Sequence, residues 1–373
     1  MLLVLFLALL PGGWSCAAQD VWSGVERIVA VGDVHGDLNQ LTALLREAGV
    51  IDRRDRWSGG KAHLVQVGDV PDRGPDTRKI MDLLMRLESQ AKRAGGYVHA
   101  LIGNHEAMNL YGDLRYVIAE EFAAFRTGNS EQVRDAFFEQ HVEELKRNPL
   151  PGGLPQFDEA YRKKWNDEHP PGYFEHRLNF GPKGKYGKWI REHNAIVKIN
   201  DTLFLHGGIS PKYAAMPVSE INAAVRAELN DFGKLEGGLI LDQEGPLWYR
   251  GLAQEDEAAL APHVETLLKN HQARRIVVGH TPTPGAVLPR FEGRVVMIDV
   301  GLSKAYGARR ACLLLEHGQA YAQHRGKKLP LPADSGAGLL AYLREAAALD
   351  PPPSPLGALI KKIEDLAPAG AAR

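Results

Sequence analysis

Arg27-Ile-Val-Ala-Val-Gly-Asp-Val-His-Gly-Asp37 sets the pattern on which this chain is built. Its apolar first half is rich in β-branched residues and predicts a buried strand. The strand runs into a glycine-bracketed turn that carries Asp33 and His35, two side chains of metal-ligand type. In open α/β sheets, binding sites form at the carboxyl ends of strands. A single turn of this kind proves little, but the same design recurs four more times downstream.

Two further units of strand, polar turn and helix follow before residue 112. The second strand, at residues 63–67, leads into Gly68-Asp-Val-Pro-Asp-Arg-Gly74, and the third, at residues 97–102, leads into Gly103-Asn-His-Glu106. This alternation predicts parallel βαβ units whose polar turns meet at one edge of a sheet. Later strands, predicted at residues 202–205 and 275–278, feed the turns His206-Gly-Gly208 and Gly279-His-Thr-Pro282.

The five turns together supply seven side chains that can coordinate metal ions or move protons. They are Asp33, His35, Asp69, Asn104, His105, His206 and His280. Carboxylate, imidazole and amide oxygen suit divalent metals, with manganese as the first expectation and iron or zinc as alternatives. Asp69 is predicted to bridge two ions, because its strand should lie between the strands of the other two motifs. Two bridged ions would activate a hydroxide between them and clamp a phosphoryl group.

The same turns offer a proton donor and cations for a phosphate ester. His105 is predicted to be the general acid that protonates the leaving oxygen, with Asp72 holding its second ring nitrogen. Arg73, Arg191 and Arg250 lie in or beside the motif turns, and we expect them to bind the phosphate oxygens. These residue types predict the hydrolysis of a phosphoric monoester.

Five motifs occur in a fixed order between residues 25 and 307: Gly-Asp-x-His-Gly, Gly-Asp-x-x-Asp-Arg-Gly, Gly-Asn-His-Glu, His-Gly-Gly and Gly-His-Thr. This ordered set resembles the phosphoprotein phosphatase family within the calcineurin-like metallophosphoesterases. Three further stretches are similar to its Shewanella-like protein phosphatase branch: Leu110-Tyr-Gly-Asp-Leu-Arg-Tyr116, Tyr186-Gly-Lys-Trp-Ile-Arg191 and Ile298-Asp-Val-Gly301.

The resemblance implies a fold and a division of the metal ligands. The implied fold is of the α/β class, with two mixed β-sheets packed face to face and flanked by helices. One metal ion would be held by Asp33, His35, Asp69 and His280. The other would be held by Asp69, Asn104 and His206, and the three arginines would bind phosphate.

Three functions remain open from the sequence. The first is a protein phosphatase acting on phosphotyrosine or phosphoserine/threonine in proteins or peptides, or on small phosphomonoesters. The second is a nucleotide or diadenosine polyphosphate hydrolase, because Arg73-Gly-Pro75 resembles the second motif of those enzymes, although Glu106 stands where they usually carry Asp. The third is a catalytically inactive phosphate-binding protein, which would usually have lost a ligand or the acid.

Composition divides the chain into a leader, a catalytic region and a tail. The apolar residues 1–10, followed by Pro-Gly-Gly and small residues, predict a signal peptide over residues 1–18 and hence a secreted or periplasmic protein. The catalytic region is expected over residues 19–327, with a polar helical insertion over 112–180 beside the site. Residues 328–373 are rich in Ala, Leu and Pro, and we expect either a loosely attached helix and tail or an interaction segment. The last clear strand is predicted at Val295 to Asp299.

Charge and cysteine content exclude several classes of partner and site. The 373-residue chain has a formal net charge of −1, so no overall field points to nucleic acid or an anionic membrane. The N-terminal apolar run is too short for a stable membrane span. Loss of Cys16 with the leader would leave Cys312 alone, so we expect neither a disulfide nor a cysteine zinc site.

Overall fold

The computed structural model describes residues 18–333 and 336–366, so most of the predicted leader and the end of the predicted tail lie outside it. The described strands are β1 (Val21–Trp22), β2 (Arg27–Val31), β3 (His63–Gln66), β4 (Tyr97–Ala100), β5 (Ile196–Ile199), β6 (Thr202–Leu205), β7 (Arg275–Val278), β8 (Leu288–Arg290), β9 (Val295–Met297), β10 (Ala311–Glu316), β11 (Gln319–His324) and β12 (Lys327–Pro330).

The described α-helices are α1 (Leu38–Glu47), α2 (Thr77–Arg93), α3 (Asn104–Tyr111), α4 (Ala119–Ala123), α5 (Ser130–Arg147), α6 (Glu159–Glu168), α7 (Tyr173–Phe180), α8 (Lys185–Arg191), α9 (Val218–Asn230), α10 (Gly251–Gln254), α11 (Glu257–Asn270), α12 (Ala337–Leu349) and α13 (Gly357–Leu366). Among the residues that the structure describes, no helix combines the length and the apolar character needed to cross a bilayer.

The strands form two mixed sheets of six strands each. The first sheet has the order β1-β5-β6-β7-β9-β8, with parallel pairs at its centre. The second has the order β12-β11-β10-β2-β3-β4, in which β2, β3 and β4 run parallel. As predicted, β3 lies between β2 and β4, which puts the turn that carries Asp69 in the middle of three motif turns.

The two sheets pack face to face because their strands are apolar on both sides. Ile28 and Ala30 of β2 belong to the core that both sheets share, together with Phe204 of the other sheet. Val29 and Val31, which point the opposite way along the strand, join the core beneath the helices. The predicted fold class, two mixed sheets face to face and flanked by helices, is confirmed.

Helices α1 and α2 cover the outer face of the parallel strands. Asp37 caps α1, since its Oδ1 accepts the N–H of Gln40 at 3.1 Å. In α2, Ile80, Leu84 and Leu87 recur at helical spacing and form one buried stripe. Each helix carries the chain back to the edge of the sheet at which the next parallel strand begins. The carboxyl ends of β2, β3 and β4, with their polar turns, therefore meet at one edge.

Four helices, α4 to α7, occupy much of the stretch predicted as a helical insertion. Helix α7 is tied to α3, because the guanidinium of Arg177 donates to the carbonyls of Asn109 and Leu110. Helix α4 lies beside the turn after β3, where Glu121 is fully buried. The helices thus lie against the motif turns, while the boundaries 112–180 of a distinct insertion remain a prediction.

The C-terminal part differs from the prediction. Val295–Met297 is not the last strand, because β10, β11 and β12 follow and extend the sheet beyond β2. The alanines, glutamines and lysines of β11 and β12 have low strand propensity, so these strands form through their neighbours rather than through local preference. Helix α12 is packed firmly, with Tyr342 and Leu343 buried and the Tyr342 hydroxyl donating to the Val287 carbonyl at 3.0 Å. Helix α12 is therefore not loosely attached, while the boundary of the tail at residue 328 remains a prediction.

Candidate active site

Ten of the eleven predicted site residues meet at the carboxyl ends of β2, β3, β4, β6 and β7. Eight of them line a small cavity of about 70 Å³, and the five other lining residues are Tyr116, Trp248, Pro282, Asp299 and Tyr306. His206 and Asp72 lie directly behind this lining and contact it. The exception is Arg191, whose position is described below.

Backbone conformation marks this edge as a constrained region. Five predicted site residues other than glycine have positive φ: His35 (44°), Asp69 (60°), Asp72 (73°), Arg73 (62°) and His280 (63°). Such left-handed conformations are uncommon for residues with a side chain and persist only where the surroundings hold them. Their concentration here is typical of a functional site.

Two groups of buried side chains can each supply three ligand atoms that lie within 4.8 Å of one another. The first is His35, Asp69 and His105, and the second is Asp69, His206 and His280. Asp69 is common to both groups, which is what a bridging carboxylate requires. Asn104 joins the second group, since its Oδ1 lies 2.9 Å from His206 Nε2. Asp33 joins the first, with its Oδ2 4.0 Å from His35 Nε2.

His280 lies beside His206 rather than beside the side chain of His35. Its Nδ1 is 3.0 Å from His206 Nε2, whereas its contact with the Asp33 carboxylate is made by the backbone N–H at 3.1 Å. The resemblance assigned His280 to the ion held by Asp33 and His35. The structure instead places it with Asp69, Asn104 and His206.

The histidines present their free nitrogens to the carboxylates. His35 Nδ1 lies 3.2 Å from the Pro71 carbonyl, and His206 Nδ1 lies 3.0 Å from the Val67 carbonyl. Because a carbonyl only accepts, each Nδ1 carries the proton and each Nε2 keeps a lone pair that faces the site. Burial lowers the pKa of His35 to about 3 and that of His280 to about 2. Neutral imidazoles are the form that binds metal ions.

The buried carboxylates of Asp33, Asp69 and Asp299 meet at the same point of the site. The positive charge around them does not fully neutralise them, as the pKa values of two of the three show. Burial and the charges of Asp299 and Asp69 raise the pKa of Asp33, and burial raises the pKa of Asp299 to about 6. Burial also acts to raise the pKa of Asp69, but His206 and the other histidines outweigh it and hold that pKa low. His280 Nε2 is buried without a hydrogen-bond partner. Divalent cations would balance the charge of the three carboxylates, so the donor set fits metal ions.

Two glycines leave room for the carboxylates. A Cβ on Gly103 would lie 2.4 Å from Asp69 Oδ1, and a Cβ on Gly279 would lie 2.6 Å from Asp33 Oδ1. Any larger residue would therefore displace a ligand. This close approach explains why glycine precedes Asn104 and His280 in their motifs.

Glu106 ties the second and third motif turns together. Its Oε2 accepts the backbone N–H groups of Asp69 and Gly103, both at 2.8 Å, and its Oε1 accepts that of Val70 at 2.7 Å. Three such bonds to one carboxylate fix the relative position of the turns. The separation between the Asp69 and Asn104 ligands is thereby set by the backbone.

The His105 ring is held in one orientation rather than left free to rotate. Its Nδ1 lies 2.5 Å from Asp72 Oδ2, and Asn109 Nδ2 donates to Asp72 Oδ1 at 2.9 Å. Burial lowers the pKa of His105, but the Asp69 charge and the Asp72 hydrogen bond outweigh burial and raise the pKa overall. The ring points Nε2 into the site, 3.7 Å from Asp69 Oδ2.

Two of the three predicted phosphate-binding arginines reach the cavity. Arg73 and Arg250 line it, and Arg250 is anchored by donating to the His280 carbonyl at 2.6 Å. Arg191 does not reach it, because α8 turns its side chain toward α9, where its Nε donates to the Leu229 carbonyl at 2.9 Å. It lines a separate surface groove instead. The structure therefore does not bring Arg191 to the other two predicted phosphate-binding arginines.

Five lining residues were not predicted as site residues from the sequence: Tyr116, Trp248, Pro282, Asp299 and Tyr306. Asp299 follows β9 as the ligands follow their strands, so its position carried a usable signal. The two tyrosines flank the Arg73 guanidinium carbon, with ring centroids at 4.4 Å for Tyr116 and 5.3 Å for Tyr306. Tyr116 ends a stretch that is similar to the Shewanella-like branch, which was a usable signal, whereas no sequence pattern marks Tyr306, which only the fold brings to Arg73.

Comparison with known proteins identifies the family of this chain and several proteins that are similar to it. Residues 26–284 match the family model described as calcineurin-like phosphoesterase. An uncharacterized protein of Schizosaccharomyces pombe is 33% identical over 317 residues, which cover 82% of this chain and 82% of that protein. Shewanella-like protein phosphatase 2 of Arabidopsis thaliana is 29% identical and matches 80% of this chain and 77% of its own length. The crystal structure of a cold-active protein-tyrosine phosphatase of a psychrophilic Shewanella species has a TM-score of 0.63 and 30% identity, covering 84% of this chain and 82% of that chain.

Proposed function

This chain belongs to the calcineurin-like phosphoesterase family and is a phosphatase, and we propose that its substrates are phosphotyrosine side chains of proteins or peptides. The Arabidopsis relative is named a protein phosphatase, and the Shewanella structure is titled a protein-tyrosine phosphatase. The cavity carries the proposal, because it joins ligand groups, a proton donor and two arginines within one aromatic rim.

Two metal ions of the proposed enzyme would share Asp69 as a ligand. The residues for one ion are Asp33, His35 and Asp69, and those for the other are Asp69, Asn104, His206 and His280. We propose manganese at both positions, with iron and zinc as alternatives, because carboxylate, amide and imidazole ligands suit these ions. When bound, such ions supply positive charge to phosphate oxygens and bring the pKa of a coordinated water toward neutrality.

The chain's own residues bind the phosphate and protonate the leaving group. Arg73 and Arg250 reach the phosphate oxygens from the cavity wall and neutralise the charge that develops on them. His105 gives its Nε2 proton to the tyrosine oxygen as the phosphorus–oxygen bond breaks. Asp72 accepts the Nδ1–H of the same ring, which keeps the imidazole oriented and stabilises its protonated form.

Aromatic rings at the entrance favour an aryl ester over an alkyl ester. A cavity of about 70 Å³ has room for little more than the phosphate group, so the rest of the substrate lies on the rim. Tyr116, Trp248 and Tyr306 line that rim beside the two arginines. A tyrosine ring can stack on such side chains, whereas the alkyl chain of phosphoserine cannot.

Neither of the other two functions is favoured by a specific observation. An inactive phosphate-binding protein would usually lack a ligand or the acid, but the described site brings together Asp69, His105 and the remaining ligands. For a diadenosine polyphosphate hydrolase, the partial likeness of the second motif is the main support. We retain diadenosine tetraphosphate as a comparison substrate for this reason.

The substrate assignment is tested by steady-state hydrolysis after the metals are stripped and manganese, zinc or iron is added back. We expect metal-dependent phosphate release, with kcat/KM for a phosphotyrosine peptide about tenfold above that for matched phosphoserine and phosphothreonine peptides, as one stacking contact allows. Tyr306→Leu keeps apolar bulk but removes the ring, and should reduce this preference. Equal rates on the three peptides, or fastest turnover of diadenosine tetraphosphate, would overturn the assignment.

We also propose that residues 1–18 are a signal peptide and that the protein acts outside the cytoplasm. Of these residues only Ala18 is among those the structure describes, so the proposal rests on the apolar run and the small residues after it. N-terminal sequencing of protein exported by an expression host should begin at Ala18 or Gln19. Retention of Met1 in exported protein would contradict the proposal.

A further inference from the structure

We propose that Glu121 is a positioning residue for the reaction: it holds the backbone turn of Asp72 and Arg73 and so sets the orientation of His105. The inference rests on the proposed phosphatase function, in which His105 is the proton donor. Glu121 lies in α4, within the stretch of helices that follows the third motif, and not in any of the five motif turns.

The turn that Glu121 contacts needs support from outside the turn to keep its backbone conformation. Asp72 and Arg73 are successive residues with φ of 73° and 62°, and both carry side chains. Two consecutive left-handed residues without glycine need surrounding contacts to persist. The following residue, Gly74, packs against Gly36 so closely that a Cβ there would lie 2.4 Å from the His35 carbonyl oxygen. The turn therefore has little freedom to relax on that side.

Two contacts hold the backbone of this turn from the opposite side. The Asp72 N–H donates to Glu121 Oε1 at 3.4 Å, and the Arg73 N–H donates to the Tyr116 carbonyl at 3.1 Å. Both acceptors come from the short segment that ends in α4. Of the two, only the Glu121 contact uses a side chain, so it is the one that substitution can remove.

Glu121 is an unusual residue for a purely structural contact. Its side chain is fully buried, with the Asp72 N–H and the Thr77 hydroxyl beside its carboxylate. Burial and the charge of Asp72 raise the pKa of Glu121 well above its ordinary value. Burying an acid at this position is costly, and a position that only packed would be better filled by an apolar side chain.

A short chain of bonds connects Glu121 to the reacting proton. Glu121 holds the Asp72 backbone, and the Asp72 carboxylate holds His105 Nδ1 at 2.5 Å. Asn109 fixes the other oxygen of the same carboxylate at 2.9 Å. A movement of the turn would therefore move the imidazole, and a displacement of about 1 Å in a catalytic group can cost about a hundredfold in rate.

The test compares two substrates that differ in how much they need a proton donor. Phenyl phosphate and p-nitrophenyl phosphate share a ring, but only the first has a poor leaving group. For Glu121→Ala we expect kcat on phenyl phosphate to fall by about 10- to 100-fold, as expected when general acid catalysis is partly lost. The fall on p-nitrophenyl phosphate should stay below about threefold, because its leaving group departs without protonation.

Matched variants separate positioning from loss of structure. Glu121→Gln retains the acceptor for the Asp72 N–H and should remain within about threefold of the wild type on both substrates. Glu120→Ala alters the exposed neighbour on the same helix and should change neither rate. If Glu121→Ala does not fold, Glu121→Asp, which shortens the side chain by one methylene, supports the same comparison. In zinc-loaded protein, the proton NMR resonance of His105 Nδ1–H should shift in Glu121→Ala and stay in place in Glu121→Gln.

Failure of this inference is distinguishable from failure of the proposed function. A wild-type protein that is silent on both substrates with every metal would refute the phosphatase itself. An active wild type whose Glu121→Ala variant loses the same factor on both substrates, or loses nothing, would overturn the positioning role alone.

Discussion

Replacing Asp69 with Asn is expected to abolish turnover and to weaken metal binding more than any other single substitution. The Asp69 carboxylate lies 3.3 Å from His206 Nε2, 3.7 Å from His105 Nε2 and 3.9 Å from His35 Nε2, so it is the oxygen donor common to both ligand groups. The amide carries no charge and offers only one oxygen. Loss of several kcal/mol of stabilisation at both ions corresponds to a fall in kcat of about 10³-fold or more.

The measurement pairs metal content with activity. Metal bound per chain is determined after dialysis, and hydrolysis of p-nitrophenyl phosphate is followed at matched metal content. In the wild type, Asp69 Oδ1 accepts the backbone N–H of His105 at 3.0 Å. The Asn side chain keeps an oxygen that can accept this bond, so we expect Asp69→Asn to fold. Asp76→Asn, a change of the same kind at the start of α2, serves as the control. Wild-type activity of Asp69→Asn at equal metal content would refute the bridged pair of ions.

The centre of the fold was predictable because its signals are local. The parallel strands β2, β3 and β4 are short apolar runs that end in glycine-bracketed turns, and helices of clear 3.6-residue period separate them. Their order in the sheet follows from short right-handed crossovers. The sequence alone therefore places Asp69 between Asp33 and Asn104.

Features that depend on how distant elements meet were not predictable in this way. Arg191 is close in sequence to the motif strands, but the orientation of α8 against α9 decides where its guanidinium points. Tyr116 and Tyr306 meet around Arg73 only after both sheets have packed. His280 follows a strand as the other ligands do, yet its partner His206 is set by the neighbouring position of β6 and β7. In each case the missing information is a tertiary distance, which residue spacing does not contain.

Replacing His105 with Asn is the second change for which we expect a large effect. The ring lies against Asp72 at 2.5 Å and presents Nε2 to the cavity, so its removal leaves the departing oxygen without a proton donor. We expect kcat on phenyl phosphate and on phosphotyrosine peptide to fall by about 10²- to 10⁴-fold. The fall on p-nitrophenyl phosphate should be much smaller, since that leaving group needs little protonation.

Metal content decides between two roles that the geometry of His105 allows. Its Nε2 lies near Asp69 Oδ2, so the ring is placed to ligate as well as to donate a proton. A general acid predicts that His105→Asn binds as much metal as the wild type and loses activity in proportion to the need for protonation. A ligand predicts loss of metal and equal loss on both substrates, which would refute the acid. His317→Asn, at an exposed histidine far from the cavity, should change neither quantity.

Asp72→Asn should reproduce the dependence on leaving group with a smaller loss, because the imidazole remains but its charged partner does not.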